Sequence, residues 1–180
     1  MIINIVTLFP KEMKNFFLKG IFKSAYEKGM FDLNFIDLRK FGKTKHTKVD
    51  DYPFGLRKGM ILRADVIFDA VKSIENYTDY RILYTCPKGD VLNQHLTTSF
   101  SKEKKGLIII IGYYKGVDSR LFDILPIQRV SLGDVIYSSG ELTALAITET
   151  IIRLIPDVIG NADSIYGDSI ISGLLDFPQY

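Results

Sequence analysis

The chain predicts an α/β fold, a mostly parallel sheet covered by helices on both faces. Three observations point there. Short, nearly continuous apolar runs occur at residues 2–8, 81–86 and 106–111. Amphipathic stretches of helical period separate them, and glycine turns follow several of them. Alternation of this kind implies crossover connections, which parallel neighbours require and hairpins do not supply.

Taken in order, residues 2–8 read as the first strand, with Pro10 placed where a first helical turn tolerates it. Met13, Phe16, Phe17, Ile21, Phe22, Ala25 and Tyr26 recur at helical spacing, and Gly29 is the expected stop. Residues 31–38 read as the second strand. Between 39 and 61 no period is sustained, and Gly42, Pro53, Gly55 and Gly59 punctuate a long loop of the sort that compact domains keep for function. Residues 64–74 form an amphipathic helix, 81–86 a strand, 91–102 a weaker helix and 106–111 a buried strand. Beyond these, 117–125 reads as helical, 127–130 and 134–137 as extended, and 141–154 as the strongest helix of the chain. No internal repeat or low-complexity tract is present.

The 180 residues are 47% hydrophobic, enough for one good-sized core, and one domain is expected. No apolar run approaches the roughly 20 residues of a bilayer span. The N-terminus lacks the basic flank of a signal peptide. A single cysteine, Cys86, excludes an internal disulfide, and with two histidines it argues against a zinc site, so no structural metal is expected and the compartment reads as cytoplasmic. Net charge is +2, yet residues 39–63 hold eight Lys or Arg against Asp50 and Asp51, a local +6 on a body of −4. Such a segment suits a phosphate backbone, because each neutralised phosphate releases counterions; a solvated surface loop is the plainer reading.

In open α/β sheets ligands sit beyond the carboxyl ends of the strands. Three turns are expected there, at 86–89 (CPKG), 112–116 (GYYKG) and 138–140 (SSG). Glycine lets backbone approach a flat heterocycle closely. Neither a dinucleotide fingerprint nor a phosphate loop occurs, which disfavours a conventional nucleotide fold. The richest stretch is 134–141 (DVIYSSGE), followed one helix later by 153–160 (RLIPDVIG) and then Asp168-Ser169. On the residues alone, Asp168 also reads as a helix cap and Arg153 as a complement to a helix dipole.

With Leu8-Phe9-Pro10, the run 46–51 (HTKVDD) and Gly59-Met60, these motifs resemble, in order and spacing from Met1 to Tyr180, the bacterial tRNA (guanine-N1)-methyltransferase family of the SPOUT superfamily. The resemblance implies the SPOUT methyltransferase fold, with a trefoil knot in the carboxyl half. It implies S-adenosylmethionine as methyl donor, transfer to N1 of the guanosine 3′ to the anticodon, and a homodimer whose sites draw on both copies. The family's catalytic aspartate falls on Asp168 and its arginine on Arg153. Donor-binding positions fall on Tyr84, Cys86, Pro87, Gly112, Tyr114, Gly116, Leu132, Tyr137, Ser139 and Gly140; positions for the target base fall on Asp50, Gly55, Gly59 and Ser164. A magnesium ion is compatible with the family's chemistry.

Departures from the family pattern are specific. Its G-G-G-P-G-M is GLRKGM at 55–60, its G-R-Y-E-G is GYYKG at 112–116, and its S-G-G-E is SSGE at 138–141. A lysine at 115 where the family has glutamate is expected to disfavour a sulfonium by roughly 1–4 kcal/mol. The family's helical, tRNA-gripping carboxyl-terminal domain has no counterpart in these 180 residues, so weak tRNA binding is expected of them. A diverged domain serving dimeric assembly or RNA docking is the alternative reading.

Overall fold

In the computed structural model, residues 1–159 are described, apart from 18, 44–46 and 56–57. Five strands form one parallel sheet in the order β2-β1-β6-β5-β7: β1 (Ile2–Thr7), β2 (Asp32–Asp37), β5 (Arg81–Val91), β6 (Gly106–Ile110) and β7 (Ile127–Ser131). The expected parallel α/β sheet is therefore present. A two-stranded antiparallel hairpin, β3 (Asp50–Asp51) with β4 (Ile61–Leu62), stands apart from it.

The helices are α1 (Pro10–Phe17), α2 (Gly20–Glu27), α3 (Ala64–Lys72), α4 (Gln94–Ser101), α5 (Leu121–Ile124) and α6 (Glu141–Ile152). All five residues of β6 are buried, so both faces of the sheet are covered. Ile3, Ile5, Leu83, Ile108 and Ile109 have no exposed surface. Gly106 begins β6 where a Cβ would stand 1.8 Å from the Ile2 carbonyl oxygen, and its φ of +131° is open to glycine. Ile109→Ala is expected to cost about 2–5 kcal/mol of stability, read as a thermal midpoint lowered by roughly 2–4 °C per kcal/mol.

Several expected boundaries move. The single helix over 13–26 is two, because Gly20 enters the left-handed region at φ +53° and breaks the run. The strand at 81–86 continues to Val91 with an irregularity between Thr85 and Asp90, so the expected turn at 86–89 is a bulge within β5. This shortens the following helix, which Asn93 caps by accepting from the Leu96 amide. The helix over 117–125 is only the four residues of α5, and 134–137 is irregular, outside the strands. The long loop contains a 3-10 turn at Leu38–Phe41 as well as the hairpin.

Candidate active site

At the carboxyl edge of the sheet, three segments meet backbone to backbone. The Gly140 amide donates to the Gly112 carbonyl at 2.7 Å, and the Gly112 amide donates to Thr85 Oγ1 at 2.9 Å. A Cβ on Gly140 would lie 1.8 Å from Thr85 Oγ1, and one on Gly112 would lie 2.3 Å from the Thr85 carbonyl oxygen. Both positions exclude any side chain. The end of β5, the turn after β6 and the turn before α6 are thus fastened into one floor.

Tyr84 faces this floor. Its side chain is buried, and among the described residues its hydroxyl has no hydrogen-bond partner. That oxygen lies 3.0 Å from where a Gly112 Cβ would stand and 3.9 Å from the corresponding point on Gly116. A buried polar group without a partner calls for one, and a ligand with a ring nitrogen or hydroxyl would supply it. Burial, reinforced by Cys86 and opposed by Arg129, pushes the Tyr84 phenol well above its ordinary pKa, so it remains a neutral donor. Burial raises the Cys86 thiol as well.

The hairpin is bolted to the turn at 112–116. The Lys115 amide donates to the Met60 carbonyl, the Leu62 amide to the Gly116 carbonyl, and the Asp118 amide to the Leu62 carbonyl. Tyr114, at φ +57° and half-exposed, lies within electrostatic reach of Asp50: burial first, then the Asp50 carboxylate, raise its phenol, while Arg39 opposes them. Sequence-distant positions 50 and 114 therefore share one surface. Neighbouring Asp51 is held below the usual carboxylate range by the Tyr52 amide and by Lys48.

Lys115 lies along the hairpin loop. Its side chain is exposed, and its stem from Cγ to Cε packs over Gly59, where a Cβ would be 2.8 Å from Cγ. The lysine, a departure from the family pattern, thus packs on Gly59, a position that keeps the family's glycine.

The other expected positions lie in the β5 bulge, the hairpin loop, the segment before α6 and the far end of α6. Cys86 is half-buried and Pro87 exposed in the β5 bulge, Leu132 is half-buried, and Tyr137 is exposed. Ser139 donates to Glu141 Oε2 at 3.2 Å, which gives its hydroxyl a use that a glycine lacks. Gly55 has φ +89° and open space around it, and Gly59 has φ +112°. Arg153 caps the end of α6. Asp168 and Ser164 lie outside the described residues. A groove of about 500 Å³ opens between the hairpin, α3 and α5, lined by Asp51, Phe54, Arg63, Asp118 and Arg120 among others, and no residue of the glycine floor lines it.

Thr85, Tyr113 and Glu141 belong to the floor but were not expected from sequence. Thr85 is a buried hydroxyl within a buried strand, a pattern that could have marked it. Among the described residues, no group of three His, Cys, Asp or Glu gathers as a metal site, and no helix is long and apolar enough to cross a membrane.

A parallel sheet with glycine backbone packed together at its carboxyl edge defines an α/β domain of the class that binds ligands beyond that edge. A family model described as tRNA (Guanine-1)-methyltransferase TrmD matches residues 1–180. The tRNA (guanine-N(1)-)-methyltransferase of Geobacillus kaustophilus is 41% identical over 179 residues, covering 99% of this chain and 73% of that protein. The protein of the same name from Staphylococcus epidermidis (strain ATCC 12228) is 39% identical over 178 residues, covering 99% and 72%. The crystal structure of tRNA (m1G37) methyltransferase from Aquifex aeolicus superposes with a TM-score of 0.80 at 38% identity, covering 89% of this chain and 72% of that one. The chain belongs to the tRNA (guanine-1)-methyltransferase family.

Proposed function

We propose that this chain transfers a methyl group from S-adenosylmethionine to N1 of the guanosine 3′ to the anticodon, position 37 of tRNA. The observation that carries the reading is its likeness, over 99% of its length, to proteins named for this reaction. It is favoured over a diverged assembly module.

The residues present fit the donor. Gly112 and Gly140 offer backbone with no Cβ in the way, and the Tyr84 hydroxyl is free among the described residues to bond an adenosine moiety. S-Adenosylmethionine supplies an electrophilic methyl on a sulfonium, which leaves as a neutral thioether. The protein's task is then alignment and one proton. Asp168 takes the N1 proton as the methyl arrives, and Arg153 stabilises the charge growing on O6. Asp50, Gly55, Gly59 and Ser164 orient the target base. Tyr114 joins the two sets, since it stands in the glycine turn and its phenol feels the Asp50 carboxylate.

The finer reading adds a trefoil knot through the carboxyl half, a homodimer and a cytoplasmic setting, with residues 1–180 as one methyltransferase domain. Exposed Val135, Ile136, Tyr137 and Leu142 around Gly140 support a second copy or ligand covering that edge. Magnesium enters as an accessory ion, with no ligand set among the described residues.

A methyl-transfer assay with tRNA carrying guanosine at position 37, with and without magnesium, tests the reading. Product analysis is expected to find 1-methylguanosine at that position, and none when adenosine replaces it. Absence of product at saturating donor and tRNA overturns the proposal.

A further inference from the structure

We propose that Tyr113 is a positioning residue for donor binding: its hydroxyl, held between Thr7 and Glu141, fixes the turn that presses Gly140 against Gly112. The inference rests on the methyltransferase reading above.

Tyr113 is buried, and its hydroxyl meets three groups from two distant segments of the chain. It donates to Glu141 Oε1 at 2.9 Å, lies 2.7 Å from Thr7 Oγ1, and accepts from the Leu8 amide at 3.4 Å. An ionised carboxylate only accepts, so the single phenolic hydrogen goes to Glu141. Thr7 must then be the donor in its contact with Tyr113, and Thr7 in turn accepts from the Phe9 amide at 3.1 Å. The bonds run one way, from the end of β1 through Thr7 and Tyr113 to Glu141, and such chains polarise one another.

Glu141 occupies the first turn of α6, where a negative charge is favoured. Its second oxygen accepts from Ser139, so both oxygens are used, and among the described residues no cation pairs with it. The family pattern places an arginine at position 113; here a neutral hydroxyl meets the carboxylate. Burial holds the phenol well above its ordinary pKa, so it stays protonated. Residues 139 to 141 are thereby tied to β1, and Gly140 between them makes the 2.7 Å bond to Gly112. Loss of the Tyr113 hydroxyl frees the turn while leaving the ring in its edge contact with Phe9.

Tyr113→Phe, Glu141→Gln and the double variant in the full chain test this. Titration with S-adenosylmethionine is expected to give a dissociation constant raised about 10-fold for Tyr113→Phe, the size lost with one hydrogen bond to a charged group. The KM for donor should follow it, and kcat at saturating donor should not change. The double variant should bind no more weakly than the worse single one, because both break the same link. Hydrogen exchange at the Gly140 amide, measured without donor, should speed up. Unchanged affinity, additive losses, or a fall in kcat alone overturns the proposal. If the parent chain fails to bind donor, the methyltransferase reading falls, while the exchange rate still reports whether Tyr113 holds the turn.

Discussion

Asp168→Asn is expected to lower methyl transfer by about 10²–10⁴-fold, the range of a positioned general base, and to leave S-adenosylmethionine affinity unchanged. Asparagine keeps the size and one accepting oxygen but cannot take the N1 proton at neutral pH. Substrate therefore still docks, and the loss falls on kcat. The pH profile separates this from simple misplacement. With asparagine the gap should narrow at high pH, where guanine N1 loses its proton unaided. Arg153→Lys should act differently, since it keeps the charge and loses the planar fork. Single-turnover rates on guanosine-37 tRNA measure all three. An asparagine variant as fast as the parent removes Asp168 from the chemistry.

The centre of the sheet was legible in the sequence because β1 and β6 are buried on both faces. The run at 106–110 is buried throughout, and no other element type explains so short and apolar a stretch between glycine and glycine. Elements whose limits depend on tertiary contact were less legible. Strand β5 passes through Pro87 and Gly89, residues that read as a turn, because β7 pairs with it again at Asp90 and Val91. Gly20 looked like one more residue of a periodic helix, and only its backbone angle divides that helix in two.

The floor of the site was legible in the same uneven way. Gly112 and Gly140 stood out as glycines, but their mutual contact did not, since 28 residues separate the partners and nothing in either turn specifies the other. Thr85 and Glu141 act by receiving hydrogen bonds from residues distant in the chain, so their residue types could be read but their partners could not. Lys115 was legible only as a charge, whereas the direction of its long stem is set by the space available, here the bare face of Gly59.

Gly140→Ala is expected to weaken S-adenosylmethionine binding by about 10²-fold, the effect of a misplacement near 1 Å in a site that works by alignment. The cause is space alone, since Gly140 has φ −81°, a conformation that alanine adopts without strain. The new Cβ would stand 1.8 Å from Thr85 Oγ1, 2.8 Å from Thr85 Cβ and 3.0 Å from the Gly112 nitrogen. Thr85 cannot turn aside cheaply, because it is buried and its oxygen accepts the Gly112 amide. The start of α6 must therefore back away and release the Gly140–Gly112 bond, so stability should also fall by about 1–3 kcal/mol. Gly29→Ala is the matched control: it meets nothing within 4 Å but sits at φ +70°, so it should cost stability without touching donor affinity. Adding Thr85→Ala to Gly140→Ala removes the shortest clash, and the pair should bind donor better than Gly140→Ala alone, even though Thr85→Ala by itself strands the Gly112 amide. Calorimetric titration of the four variants decides it, and normal donor binding by Gly140→Ala would mean that the floor of glycine backbone is not where the ligand rests.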